Sequence, residues 1–118
     1  MSNYRGFDVQ HHVDVAVMHL MDHHVLDLGQ INVLRDEMLR FIDEQKPAKL
    51  LVNFGGVTSC SSQMIGCLIT VWKHLSAEGG QLKLCGMHEH IREAFRICKL
   101  DGAIFEIFDS APEALRAF

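Results

Sequence analysis

The chain has no cluster of Lys and Arg longer than a scattered pair, and its formal charge is −4, from 11 basic and 15 acidic residues. Nucleic acid is held chiefly through phosphate contacts from grouped basic side chains, so this absence argues against a nucleic-acid partner. No apolar run approaches the roughly 18 residues that would span a bilayer. The opening Met1-Ser2-Asn3-Tyr4-Arg5-Gly6 lacks the charged-then-apolar order of a secretory signal. The expected compartment is cytoplasmic, with no membrane partner. The four cysteines, Cys60, Cys67, Cys85 and Cys98, include no Cys-x-x-Cys pair, so reduced, buried thiols are expected in place of a zinc or redox site. The Gly-x-Ser-x-Gly pattern of a nucleophile elbow is also missing, which argues against a serine hydrolase. No internal repeat, low-complexity tract or long linker interrupts the chain.

What is present is apolar material for one core: 48% of 118 residues are hydrophobic, consistent with a single domain over 1–118. Phe7 to Leu20 reads as a hairpin with a turn at His11-His12, the return strand starting at Val13 and burying one more face through Val13, Val15 and Val17. Ile31, Leu34, Met38, Phe41 and Ile42 recur at helical spacing over Ile31–Glu44. Lys49–Phe54 reads as an interior strand. A second helix is predicted over Ser62–Ala77, with Ile65, Leu68, Ile69, Trp72 and Leu75 as its buried stripe. Gly79-Gly80 ends it, and the strand Gln81–Cys85 follows. His88–Lys99 reads as a third helix with Ile91, Ala94, Phe95 and Cys98 on one face. Ala103–Phe108 reads as a last strand, and a short helix opens at Ser110-Ala111-Pro112. This alternation implies parallel strands joined by crossovers, with an antiparallel strand at the edge.

Eight histidines include His11, His12, His19, His23 and His24 close together. Adjacent histidines on a strand point to opposite faces, and no cysteine or carboxylate joins them at a ligating spacing. Solvated side chains are expected there and at His88 and His90, with no metal and no cofactor.

The most specific stretch runs from Leu50 to Ile69, where a strand passes through Gly55-Gly56-Val57-Thr58-Ser59-Cys60 into Ser61-Ser62-Gln63-Met64-Ile65-Gly66. Two serines thus stand at a helix start, where free N–H groups and the macrodipole favour an oxygen or an anion. A serine there serves as cap, nucleophile or phosphoacceptor. His74 lies twelve residues beyond Ser62 on the same helix, out of reach for a catalytic base. Cys60 and Cys67 flank the loop, where a thiol can have a lowered pKa, but burial is expected for both.

This stretch, with Gly79-Gly80-Gln81-Leu82-Lys83-Leu84-Cys85, Ile91-Arg92-Glu93-Ala94-Phe95 and Ala111-Pro112-Glu113-Ala114-Leu115, resembles the STAS domain of bacterial anti-sigma factor antagonists. The resemblance implies an α/β STAS fold: a mixed, mostly parallel sheet with an amino-terminal antiparallel strand and about four helices. It also implies a non-catalytic regulator that switches partners when a kinase doubling as the anti-sigma factor phosphorylates a serine. That serine falls at Ser62, with Ser61 as cap or alternate acceptor. Ser61 replaces the family's aspartate, Met64 a glycine, and Asn53 the acidic residue that ends the strand. Asn53, Thr58, Ser59, Gln63, Met64 and Cys67 are the expected partner-contacting residues. The implied partners are a serine kinase or anti-sigma factor of the histidine-kinase-like ATPase class, a phosphatase, and a second copy of the chain. Gln63, Met64, Cys67, Thr70, Val71 and His74 make a helix face less polar than solvent requires, so it either meets a partner or is covered by a neighbouring helix or second copy. A constitutive scaffold or ligand-binding subunit of a sensory assembly is the alternative role. A small enzyme using Ser62 or Cys60 is a third.

Overall fold

The computed structural model describes residues 4–118; the first three residues of the amino-terminal stretch read above lie outside it. Strands β1 (Phe7–His12) and β2 (Val15–Leu20) form an antiparallel hairpin, which β3 (His24–Val25) and α1 (Leu28–Gln45) follow. Then come β4 (Lys49–Asn53), β5 (Ser59–Cys60), α2 (Gln63–Ala77), β6 (Gln81–Cys85), α3 (Glu89–Ile97), β7 (Glu106–Phe108) and α4 (Ala111–Ala117). The main sheet has the order β1-β2-β4-β6-β7, parallel from β2 onward. β3 and β5 form a separate parallel pair.

Side chains alternate across each strand, which divides the core in two. Ala16, Met18, Leu50, Val52, Leu82 and Leu84 face the layer of α1, α2 and α3. Val15, Val17, Leu51 and Cys85 face the other way, where α4 supplies Ala114 and Leu115. β2 is therefore buried on both sides, not the one expected from Val13, Val15 and Val17.

The hairpin turn also moves. His11 and His12 belong to β1, and the turn falls at Val13 and Asp14, with Val13 at φ 55° and fully exposed. The last strand is shorter than predicted, because Leu100 to Phe105 form turns in which Phe105 N–H donates to the Leu100 carbonyl. Cys98, expected on the buried face of α3, is exposed.

Both ends of the central helices follow from local chemistry. Asp27 caps α1 by accepting from Gln30 N–H at 3.0 Å, the usual service of a short polar side chain. Gly79 at φ 82° ends α2, a backbone state that glycine adopts without a Cβ penalty.

Candidate functional site

The β4–α2 connection leaves the carboxyl end of the sheet. Phe54 N–H donates to the Cys85 carbonyl, and Val57 N–H closes a turn on the Phe54 carbonyl. The side-chain oxygen of Asn53 accepts the Gly55 N–H at 2.8 Å. Gly86, at φ 74°, packs so near that a Cβ there would lie 2.6 Å from that oxygen.

The next residues are fastened to the β2–α1 connection. Thr58 and Ser59 N–H groups both donate to the His23 carbonyl, at 2.8 and 3.2 Å, and Ser61 N–H donates to the Val25 carbonyl at 2.9 Å. The Thr58 hydroxyl also reaches the His23 carbonyl. Three imidazoles add to this. His23 Nδ1 and His90 Nε2 face the carbonyls of Gly56 and Thr58 at 2.8 and 2.7 Å, so both nitrogens carry hydrogen and donate. His24 Nδ1 lies 2.7 Å from Ser59 Oγ. His23, His24 and His90 are exposed, as expected of solvated side chains, and each also has a specific partner in one loop, which was not expected. Nothing in the sequence signalled this, because β3 and β5 are two residues each and too short for any period.

At the head of α2 the two serines part company. Ser62 is exposed and makes no capping hydrogen bond. Ser61, expected as the side-chain cap, does not act as one. Its Oγ is buried with no hydrogen-bond partner, while its carbonyl accepts Met64 N–H at 3.0 Å.

Gln63 and Thr58 are exposed, and Asn53 and Ser59 half-buried. Met64 and Cys67 are not on the surface at all: they are 0% and 5% exposed, and Val71 is 0%. α1 packs against α2 on this side, with Arg35 and Asp36 of α1 near Cys67. Neither Met64 nor Cys67 can contact a partner without leaving the core; a neighbouring helix covers this face. Ile69 and Trp72, predicted in the buried stripe, are only partly buried.

The cysteines here are not activated thiols. Burial raises the Cys60 pKa and pushes those of Cys67 and Cys85 up to about 11, the reverse of a reactive thiolate. Among the described residues no group of three or more His, Cys, Asp or Glu is placed to hold a metal ion. Among the same residues no helix is long and apolar enough to cross a membrane.

A mixed sheet with three helices on one face, one on the other, and a helix-head serine loop at its carboxyl edge defines a class of small α/β modules. The STAS domain model matches residues 7–114, and the chain belongs to that family. Solved structures agree on the fold. An anti-sigma-factor antagonist (STAS) domain protein from Planctomyces limnophilus superposes with TM-score 0.82 at 21% identity, covering 94% of this chain and 96% of that one. The anti-sigma factor antagonist SpoIIAA matches in its unphosphorylated form with TM-score 0.76 at 18% identity, covering 94% of each chain. The phosphorylated form of the Bacillus protein SpoIIAA matches with TM-score 0.69 at 17% identity, covering 94% of this chain and 97% of that one. Among curated proteins, none matches this chain by sequence.

Proposed function

We propose that this chain is a non-catalytic regulatory binder of the anti-sigma factor antagonist kind, switching partners according to the phosphorylation of Ser62. The observation that carries the reading is the difference between the two serines: in a STAS chain, Ser62 offers an exposed hydroxyl with no capping duty, while Ser61 Oγ is buried. The unphosphorylated protein docks on a serine kinase or anti-sigma factor of the histidine-kinase-like ATPase class through the Thr58–Gln63 loop. Phosphorylation adds about −1.5 to −2 charges and three acceptor oxygens there. A helix start tolerates such an anion, so the fold persists while docking weakens. A phosphatase would restore the first state.

The test uses such a kinase from the same organism with ATP and magnesium, reading intact mass and peptide fragments. Phosphate on wild type and on Ser61→Ala, with none on Ser62→Ala, is the expected result, together with loss of kinase binding by Ser62→Asp. Phosphate on Ser61, or equal binding by wild type and Ser62→Asp, overturns it. One observation favours a second reading, a scaffold that is never phosphorylated: Ser61 and Asn53 stand where the family motif has carboxylates, so a kinase tuned to those charges loses two contacts. Absence of phosphate from every variant would select it.

A further inference from the structure

On the sheet face opposite α1, α2 and α3, side chains from three neighbouring strands form one line of hydrogen bonds that ends on the loop leading to Ser61 and Ser62. Gln10 Oε1 lies 3.1 Å from His19 Nε2. His19 Nδ1 lies 3.2 Å from Asn53 Nδ2. Asn53 Oδ1 accepts the Gly55 N–H at 2.8 Å.

The direction of each bond follows from the last one. A backbone N–H can only donate, so the amide oxygen of Asn53 must face Gly55 and its NH2 must face His19. His19 Nδ1 therefore accepts, and the ring proton sits on Nε2, pointing at Gln10 Oε1. A neutral ring in this one tautomer satisfies every member. A second proton on Nδ1 sets two donors against each other. Turning the Asn53 amide over would mend that contact but leave the Gly55 N–H facing an NH2. Gly86 closes the space on the other side, its Cβ direction meeting both Asn53 Oδ1 and Gly55 N within 3.1 Å.

We infer that His19 is a proton-sensitive latch on the Gly55-Gly56 end of the phosphoacceptor loop: neutral, it holds Asn53 and the loop in one shape, and protonated, it releases both. That the latch regulates docking rests on the function proposed above; that it exists does not.

The charged groups around His19 do not substitute for it. Asp8 stands opposite on β1 and is not a member of the hydrogen-bonded line. Lys49 on β4 and Lys83 on β6 point to the same face but are paired with Asp14 and Glu106. α4, which carries Glu113 and Arg116, lies over β4, β6 and β7. His23 donates through Nδ1 to the Gly56 carbonyl whether or not its other nitrogen is protonated, so its titration leaves that bond standing.

The experiment is a 15N NMR titration of the unphosphorylated full chain from about pH 8 to about pH 5, across the range where histidine changes charge. In wild type the Gly55 amide and the Asn53 side-chain NH2 should move with the His19 ring at one midpoint. Gly55 amide exchange should quicken about fivefold beyond the intrinsic pH trend, the loss of one ordinary hydrogen bond. His19→Gln keeps an acceptor for Asn53 and a donor for Gln10 without titrating, so Gly55 should lose the response. Asn53→Asp turns a donor into an acceptor: the His19 midpoint should rise, and Gly55 should stay closed at low pH. A Gly55 signal indifferent to His19, or an unchanged response in His19→Gln, overturns the latch. A latch that works in a chain taking no phosphate at Ser62 would leave this inference standing and remove the proposed function.

Discussion

The N–H of Ser61 donates to the carbonyl of Val25 at 2.9 Å, which ties the residue before the exposed serine to the connection between β2 and α1. With its main chain so committed, Ser61 holds its hydroxyl in the protein with no partner.

An unsatisfied buried oxygen costs stability, and its removal restores some. Ser61→Ala should raise the thermal midpoint, by up to about 1 kcal/mol of unfolding free energy. Ser61→Asp, which recreates the family's carboxylate at this half-buried position, should lower it. A fall for Ser61→Ala would mean that the hydroxyl has a partner after all.

The two long helices make an internal control for capping. Asp27 accepts from Gln30 N–H, and Asp27→Ala should cost about 1 kcal/mol. Ser62 makes no such bond, so Ser62→Ala should stay within about 0.5 kcal/mol of wild type. Urea unfolding of both variants checks this and establishes whether Ser62→Ala is a clean probe for kinase assays.

Met64 separates a core residue from a docking residue. Met64→Ala should destabilise by about 2–5 kcal/mol, the range for emptying a buried site. A surface methionine would give a change near zero, read by the same unfolding curve.

Much of the architecture was legible because period and punctuation agreed. The α1 stripe of Ile31, Leu34, Met38, Phe41 and Ile42 is the buried set observed, and β6 occupies Gln81–Cys85 as predicted, between Gly79-Gly80 and Gly86. α2 was harder because apolar residues surround it. A helix that touches both α1 and β6 buries a wide arc, and no single period chooses between Met64, Cys67 and Val71 on one side and Ile69 and Trp72 on the other. At the site, the serines were visible from their place before a helix pattern. The imidazole contacts were not, since His24 and Ser59 are 35 positions apart and meet only through the short β3·β5 pair.

Alkali should loosen the fold through its buried thiols. The unfolded chain loses these protons near the ordinary value of 9, whereas Cys67 and Cys85 hold theirs in the folded state up to about 11. The folded state thus binds more protons in that window, and stability falls as pH rises. Their contribution is fully present below pH 9 and gone above about 11. Tyr4, raised by burial and by its bond to Glu44, adds in the same direction. Urea midpoints measured across the window should decline, and less steeply in a Cys67→Ala, Cys85→Ala double variant.

Lys83 lies beneath α4, only 5% exposed, with its ammonium 2.8 Å from Glu106 and 5.1 Å from the centre of the Phe118 ring. An amine so enclosed is closed to acylating reagents while the last helix is seated. Its modification rate therefore clocks the lifting of α4, and gives the sheet's second face a chemical gauge that needs no partner.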